Sequence, residues 1–381
     1  MAVASALSFA RDFTSVLDGL LFEVCEELQL TSARHDQAVE RYETLGDLLE
    51  SEGSPFHRLR PKIYPQGSMA LGTTVKPIEG PHDLDFVLEL SLAHHQVDPM
   101  RLIDSLYRFL HAHGVYGPMT SQKNRCVRIE YTNDFYMDIL PACRNGAGTG
   151  TCIKVPDRAL RGWSDSDPRG YIAWFEKQSR AIFIGRVLDK AEPVPAQEAV
   201  GEKRALQLVV QLLKRWRDMY YAEVDAALAP ISIVLTTLAG NTYRGERSVS
   251  RALDAALSGI LGLIDVARSR GERLTVWNPS PNVVEDLSER WSGNAAAYGA
   301  FENGIRDFHR RWVQLIARKG SVNTELEALF GEPVKTVLRK QARRLQEDRM
   351  AGRLGITSAG LITSVSDAKV RMVPNTFHGS E

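Results

Sequence analysis

The sequence has no excess of charge of either sign. Its 47 Lys and Arg residues match 47 Asp and Glu residues, so the formal net charge is +0. A chain with this balance has no global field that attracts nucleic acid or a membrane, and any basic surface must be local. Cysteine is also scarce. Cys25, Cys126, Cys143 and Cys152 show no Cys-x-x-Cys spacing, which fits a reducing cytoplasm better than a disulfide framework.

Long apolar runs are missing as well. No run approaches the roughly 18 apolar residues of a membrane-spanning helix. The N-terminus lacks the basic region and continuous apolar stretch of a signal peptide. We therefore expect a cytoplasmic protein without a membrane partner. With 381 residues, of which 44% are hydrophobic and 25% charged, the chain has the composition of a soluble protein and enough length for two lobes.

The segment Tyr64–Leu90 combines a Gly-Ser turn with a pair of acids. Gly67 and Ser68 stand at a predicted helix start, where free backbone N–H groups and a hydroxyl suit phosphate. Asp83 and Asp85 alternate with apolar residues at the start of a strand, which places both carboxylates on one face, about 7 Å apart. Two neighbouring carboxylates repel each other and are best tolerated with a divalent cation between them. The segment therefore suggests nucleotide chemistry.

A third acid stands in the apolar strand Phe135–Pro141. A lone acid such as Asp138 is costly to bury there unless it is paired or bound to metal. Together with Asp83 and Asp85, it could complete a site for two metal ions. The alternative, a turn acid and an N-cap, does not explain two acids facing one way with a third on another strand.

This combination resembles a known superfamily. Gly-Ser, Asp-x-Asp and a distant Asp on a neighbouring strand are typical of polymerase-β-like nucleotidyltransferases. The sequences Q-G-S-M-A-L-G-T-T and D-L-D-F-V are closer to the bacterial CD-NTases, relatives of animal cyclic GMP–AMP synthase and oligoadenylate synthase that make cyclic oligonucleotide signals in anti-phage defence. The resemblance covers Tyr64–Leu90 and Phe135–Pro168, and more loosely the helices of Lys214 and Ser232.

The resemblance implies an α+β fold. We expect a polymerase-β-like core, with a mixed sheet and a long N-terminal scaffold helix, plus an α-helical C-terminal lobe and an active site in the cleft between them. The expected divisions are a nucleotidyltransferase lobe at 1–170, a helical lobe at 171–354 and an extended tail at 355–381.

The implied reaction is attack of a ribose hydroxyl on the α-phosphate of ATP, GTP or another nucleoside triphosphate, with release of pyrophosphate. Two Mg²⁺ ions about 4 Å apart, or Mn²⁺ in their place, would assist it. Asp83 and Asp85 would bridge both ions, and Asp138 would hold the one beneath the attacking hydroxyl. The product would be a cyclic di- or trinucleotide that activates a downstream effector. The implied nucleotide-binding residues are Gln66, Gly67, Ser68, Lys214 and Ser232, with a weaker claim for Thr73.

The residues alone leave several roles open. A lysine at a helix margin such as Lys214 commonly extends towards solvent, and Ser232 could simply lie near an N-cap. Four other features each have a functional and a structural interpretation. They are Arg125 and Arg128 (phosphate contact or solvated edge), Trp163 (base stacking or core anchor), His94-His95 with His111 and His113 (metal ligands or surface histidines), and the basic stretch Lys335–Arg353 (nucleic-acid or partner contact, or a solvated face).

The periodicity of the chain predicts the following elements. Helices are expected at about 4–51, perhaps broken near Thr31, and at 99–113, 171–185, 198–224, 230–242, 248–268, 283–318, 322–330 and 333–351. Strands are expected at about 115–119, 125–131 and 135–140, with a loop-rich stretch at 141–170.

Two other classes of function remain open at this point. One is another enzyme of the same superfold, such as a tRNA or poly(A) nucleotidyltransferase or a small-molecule adenylyltransferase. The other is a catalytically idle nucleic-acid-binding protein. The three acids count against the idle protein, and the neutral charge gives no sign of an RNA-binding domain. The tail at 355–381 lacks a hydrophobic period, and we expect it to engage partner proteins. Deletion of Met372–Glu381 should leave synthesis intact.

Overall fold

The computed structural model describes residues 2–131, 135–144, 150–179, 198–356, 362–364 and 370–371. The helices are α1 (Ala2–Leu28), α2 (Ser32–Glu50), α3 (Gly67–Ala70), α4 (Pro99–Ala112), α5 (Pro168–Ser179), α6 (Ala205–Glu223), α7 (Ser232–Thr242), α8 (Val249–Ser269), α9 (Ala295–Ile316), α10 (Val322–Phe330) and α11 (Glu332–Met350). The strands are β1 (Lys62–Gln66), β2 (His82–Ala93), β3 (Thr120–Gln122), β4 (Val127–Tyr131), β5 (Phe135–Arg144), β6 (Ile153–Asp157), β7 (Gly162–Ser166), β8 (Leu354–Ile356), β9 (Ile362–Ser364) and β10 (Val370–Arg371).

Seven strands form one mixed sheet. Its order is β1-β2-β5-β4-β3, and β6 pairs with β5 and then with β7. Strands β2 and β5 run parallel, whereas the other pairs are antiparallel. The parallel pair brings the two predicted acid-bearing strands side by side at the centre of the sheet. This arrangement agrees with the expected mixed sheet.

The described side chains form two large hydrophobic cores. One core lies on the sheet and includes α2 and α4, and the other joins α1 to the helices from α5 onward. The predicted break near Thr31 separates α1 from α2: Thr31 has extended backbone angles, and its side chain accepts a hydrogen bond from the Arg34 N–H, which caps α2. The N-terminal helices thus connect both cores. The domain boundaries at 170 and 354 remain predictions.

Three element predictions were wrong. Residues 115–119 form a turn and a short 3₁₀ helix rather than a strand, and β3 begins only at Thr120. The stretch expected to be loop-rich contains the hairpin β6–β7. Helix α9 begins at Ala295 rather than at 283, because Asn294 caps it by accepting a hydrogen bond from the Ala297 N–H. Residues 272–294 are instead held by side-chain hydrogen bonds to Ser288 and Asp286.

The remaining helix predictions agree with the structure to within a few residues, with two exceptions. Helix α6 begins at Ala205 rather than at 198, and 180–185 lie outside the described residues. In the tail, β8, β9 and β10 form a small antiparallel sheet, whereas we expected an extended chain. Residues 372–381, to which the partner prediction applies, are outside the described part. None of the described helices is both long and apolar enough to cross a membrane.

Candidate active site

The predicted phosphate-binding turn connects β1 to the short helix α3. Gly67, at this junction, has φ of +60°, a conformation that side-chain-bearing residues adopt at a cost. A Cβ added at Gly67 would also lie 2.6 Å from Oδ2 of Asp85. Glycine is therefore required both for the backbone conformation and for the close approach of the carboxylate. Ser68 follows, and its Oγ accepts a hydrogen bond from Thr74 Oγ1 at 3.3 Å.

The three predicted acids converge at the ends of β2 and β5. Asp85 lies opposite Asp138 in the parallel ladder, and it also faces Gln66 across the β1–β2 ladder. Asp83 precedes Asp85 by two residues on the same face of β2, as the alternation predicted. The structure therefore brings Gln66, the Gly67 turn and all three carboxylates to one place.

Arg128 on β4 lies directly opposite Asp138 in the antiparallel ladder. Its Nε donates to Asp138 Oδ1 and its Nη2 to Oδ2, both at 2.7 Å, and Nη2 also donates to Asp83 Oδ1 at 3.1 Å. The guanidinium packs over the Tyr136 ring, 4.4 Å from its centroid. The solvated-edge interpretation of Arg128 was therefore wrong, because the side chain neutralises the acid cluster. A phosphate contact of Arg128 stays a prediction.

Burial and mutual repulsion perturb the carboxylates. Burial foremost, and then the charges of Asp138 and Asp83, raise the pKa of Asp85 to about 7. Burial also raises the pKa of Asp83, although Arg128 counteracts it. A carboxyl group with such a pKa is stabilised as an anion when a cation binds beside it.

The donor set fits a hard divalent cation such as Mg²⁺, which prefers carboxylate oxygens. Within the described residues, however, no group of three or more His, Cys, Asp or Glu side chains is arranged as a ready ligand set. The physical reason is that Arg128 holds Asp138 and Asp83. Asp83, Asp85 and Asp138 are therefore suitable metal ligands whose geometry is set here by an arginine.

Lys214 lies on α6, beside the phosphate-binding turn. It is buried, with 4% of its surface exposed, so it does not extend into solvent from the helix margin. Its Nζ donates to Thr73 O at 3.0 Å and to Thr73 Oγ1 at 3.3 Å. Burial is the main cause that lowers the pKa of Lys214 to about 7.

Lys214 belongs to a row of side chains that bind the loop 71–76. Local sequence patterns do not predict this row, because the two segments are more than 130 residues apart. The other contacts run from Lys203 Nζ to Gly72 O at 2.5 Å, Gln207 Nε2 to Leu71 O at 3.1 Å, Gln211 Nε2 to Thr74 O at 2.8 Å and Arg215 Nη2 to Lys76 O at 2.9 Å. Four donors of α6, together with Lys203 just before the helix, thus attach this segment to the loop that follows the Gly67 turn.

Ser232 is the first residue of α7, and Ile231 before it is the N-cap residue. Its Oγ accepts a hydrogen bond from Arg217 Nη1 at 2.6 Å. Arg217 was not a predicted site residue. A signal was present in its spacing from Lys214, since residues three apart on a helix lie on the same face.

These groups line one cleft of about 560 Å³ between the sheet and the helices. Gln66, Gly67, Ser68, Asp83, Asp85, Lys214 and Ser232 all line it. The lining also includes Arg125, Asn278 and Glu285, which we call the far wall of the cleft. Arg125 is not merely a solvated edge residue, because its Nε donates to the buried Asp157 at 2.6 Å. A phosphate contact of Arg125 stays a prediction. A cleft of this volume is large enough for a nucleotide.

Other sequence candidates have structural roles. Trp163 packs against the sheet core and His94, which supports the anchoring interpretation. His113 accepts hydrogen bonds from the Val115 and Tyr116 N–H groups, and His111 stacks on Tyr107. The described histidines form no metal-binding group.

The basic stretch on α11 is largely neutralised by acids of the same chain. Lys340 pairs with Glu27 at 2.5 Å and Arg344 with Glu23 at 3.3 Å, both on α1. Further pairs join Lys335 to Glu327, Arg339 to Glu332, Arg343 to Glu347 and Arg353 to Asp348. The helix therefore attaches to α1 and presents little uncompensated charge to nucleic acid.

Known proteins have sequences similar to this chain. Residues 18–179 match the Second Messenger Oligonucleotide or Dinucleotide Synthetase domain. A c-di-GMP synthase of Roseivirga ehrenbergii is 29% identical over 372 residues, covering 95% of this chain and 97% of the relative. The cyclic dinucleotide synthase CdnG of Bradyrhizobium diazoefficiens is 28% identical over 354 residues, covering 85% of this chain and 82% of that protein.

Solved structures agree. The structure of the Bradyrhizobium CD-NTase CdnG in complex with GTP superposes with a TM-score of 0.70 at 25% identity, covering 85% of this chain and 98% of that one. The chain is similar to the bacterial CD-NTases. The apo form of Vibrio cholerae DncV, at 14% identity and a TM-score of 0.56 over 81% of this chain and 92% of that one, shares the fold. The CD-NTase fold class and the nucleotidyltransferase class predicted from the sequence are thus confirmed.

Proposed function

We propose that this chain is a bacterial CD-NTase that condenses nucleoside triphosphates, with GTP as at least one substrate, into a cyclic dinucleotide and releases pyrophosphate. The observation that carries the proposal is the convergence of Asp83, Asp85 and Asp138 beside the Gly67 turn, with Asp83, Asp85 and Gly67 lining one cleft. Support for GTP comes from the relatives, which include a c-di-GMP synthase and a GTP complex of CdnG. The resemblance also implies a signalling role in anti-phage defence through a downstream effector.

We assign the three carboxylates to two Mg²⁺ ions, which Mn²⁺ can replace. When bound, such ions activate a ribose hydroxyl and neutralise the leaving pyrophosphate. Asp83 and Asp85, two residues apart on β2, would hold the ions, and Asp138 would hold the ion that serves the nucleophile. Asp138 could bind that ion only after Arg128 releases it. The guanidinium of Arg128 would then stay packed on the Tyr136 ring.

The triphosphate is assigned to the opposite side of the cleft. The Gly67 turn and the Ser68 hydroxyl supply donors to phosphate oxygens. Lys214 adds a positive charge, and its bonds to Thr73 keep it beside the turn. Ser232 adds a hydroxyl at the start of α7, whose backbone N–H groups favour anions. Gln66 lies at the junction of β1 and α3, next to Asp85.

A base-reading role is proposed for Glu285 on the far wall. Its Oε2 accepts a hydrogen bond from Asn278 Nδ2 at 2.8 Å, and burial raises its pKa. A carboxylate is an acceptor, and guanine carries N–H donors at N1 and N2, whereas adenine has no donor at those positions. We therefore assign Glu285 to the recognition of guanine.

The rival nucleotidyltransferases are less well supported. A polynucleotide-extending enzyme needs a basic surface for its RNA, and the described basic helix α11 is paired with α1. The purified protein should be incubated with each triphosphate singly and in pairs with Mg²⁺, and the products resolved by mass spectrometry. A cyclic dinucleotide that contains guanosine is expected. Nucleotide added to RNA or to an antibiotic, with no cyclic product, would contradict the proposal.

A further inference from the structure

Arg217 occupies a position in the cleft that none of the assigned roles explains. It lies one turn after Lys214 on α6 and lines the same cleft. About one fifth of its side chain is exposed, so the guanidinium is accessible from the cleft while its stem is packed. An arginine in this position next to the phosphate-binding turn is well placed to meet a polyanion.

The contacts of Arg217 leave part of its donor capacity unused. Its Nε and Nη2 both donate to Oδ1 of Asp218, at 2.8 and 2.5 Å, and Nη1 donates to Ser232 Oγ at 2.6 Å. A guanidinium has five N–H groups, so these contacts do not exhaust them. The Asp218 carboxylate neutralises the arginine, as a phosphate would if it took its place.

The bond to Ser232 also determines what that hydroxyl can do. A guanidinium donates hydrogen bonds but cannot accept them. Ser232 Oγ is therefore the acceptor in this pair, and its own proton remains available for donation to another oxygen. An anionic oxygen in the cleft is the partner that such a hydroxyl binds most strongly.

Two cations stand close together on this face of α6. After burial, the charge of Arg217 is the next largest cause of the lowered pKa of Lys214. Like charges close together repel each other, and an anion bound between Lys214 and Arg217 would remove the repulsion. The same reasoning that assigns a cation to the three acids assigns an anion to these two bases.

We propose that Arg217 binds the β- and γ-phosphates of the nucleoside triphosphate and positions the Ser232 hydroxyl to donate to them. The inference rests on the proposed function, because it names a further residue of the same site. Asp218 is the resting partner that the triphosphate displaces from the guanidinium.

Binding of α,β-methylene-GTP and of GMP, each with Mg²⁺, tests the proposal by isothermal titration calorimetry. Arg217→Met should weaken binding of the triphosphate analogue about 10- to 100-fold, the loss expected for charged hydrogen bonds to phosphate. GMP, which lacks the β- and γ-phosphates, should bind with little change. Arg217→Lys should restore part of the affinity. Arg311→Met on α9, where Arg311 pairs with Asp307 at 2.8 Å, is the matched control and should bind both ligands normally.

A double-mutant cycle separates the two roles. If Arg217 acts partly through Ser232, the combined loss in Arg217→Met/Ser232→Ala should be smaller than the product of the single losses. Asp218→Asn should tighten binding of the analogue, because the competing carboxylate is gone, and this variant and Arg217→Lys carry the test if Arg217→Met fails to fold. Unchanged affinity for the analogue in Arg217→Met, or equal losses for the analogue and GMP, would overturn the proposal. A wild-type protein that binds the analogue but makes no cyclic product would refute the proposed function and leave the role of Arg217 intact.

Discussion

Arg128 and Asp138 form a bidentate ion pair across neighbouring strands. The guanidinium Nε and Nη2 each donate to one carboxylate oxygen at 2.7 Å, and the two residues are direct partners in the β4–β5 ladder. Nη2 also contacts Asp83. One arginine thus compensates a cluster of carboxylates that would otherwise repel each other.

Replacing this arginine should therefore destabilise the protein when no divalent cation is present. Arg128→Gln is expected to lower the free energy of unfolding by about 1–3 kcal/mol, the range for a lost hydrogen bond between charged groups. Mg²⁺ should stabilise the variant more than the wild type, because it takes over the neutralisation. Urea denaturation with and without Mg²⁺ measures both effects, with Arg311→Gln as the control. An equal response of variant and wild type to Mg²⁺ would show that Arg128 does not compete with the metal.

The paired acids on β2 should be needed for chemistry and not for folding. Asp83→Asn/Asp85→Asn should reduce pyrophosphate release to background, because amides are poor ligands for Mg²⁺. The melting temperature should not fall, since the change removes repulsion. A continuous pyrophosphate assay and a thermal melt test this, with Asp265→Asn on the exposed face of α8 as the control. Normal turnover in the double variant would refute the assignment.

Gly67 can be tested against a glycine with the same backbone conformation. Gly67 and Gly271 have φ of +60° and +70°, but only at Gly67 would a Cβ meet a neighbour, Asp85 Oδ2. Both alanine variants should lose about 1–2 kcal/mol from backbone strain. Only Gly67→Ala should also lose activity and triphosphate affinity, since it displaces the carboxylate. Equal activities of the two variants would indicate that the close contact is unimportant.

Lys203 should make stability depend on pH above neutrality. Burial lowers its pKa from 10.5 to about 8 in the folded protein, so between about pH 8 and 10.5 the unfolded chain binds more protons than the folded one. Wild-type stability should therefore rise with pH in this window, relative to Lys203→Met, by at most about 1.4 kcal/mol per pH unit. Urea denaturation of both proteins at several pH values measures the difference. A constant difference across the window would contradict the lowered pKa.

Glu285 should influence which base is used. Glu285→Gln exchanges an acceptor oxygen for a donor amide, which suits guanine less well. The ratio of kcat/KM for GTP to that for ATP should fall by about 10-fold or more, as expected when a polar group loses its partner. Glu289→Gln, at a more exposed position on the same wall, is the comparison. If both variants keep the wild-type ratio, the base is read elsewhere.

The local parts of the site were predictable from the sequence. The alternation of Asp83 and Asp85, the isolated Asp138 and the Gly67-Ser68 turn depend on neighbours within a few residues, and strand periodicity and turn chemistry act over that range. Helix starts with a capping side chain, such as Thr31 and Ser248, are local for the same reason.

Contacts between distant segments depended on the tertiary structure. Which charge faces Asp138 is decided by strand order and register, and these placed Arg128 rather than a lysine or solvent opposite it. The row of donors from α6 to the loop 71–76 joins residues separated by more than 130 positions, as do Lys214 and Thr73. Residues 283–294 were predicted to begin a helix, but they fold instead around hydrogen bonds to Asp286 and Ser288. Tertiary contacts of this kind outweigh helix propensity, which contributes only fractions of a kcal/mol per residue.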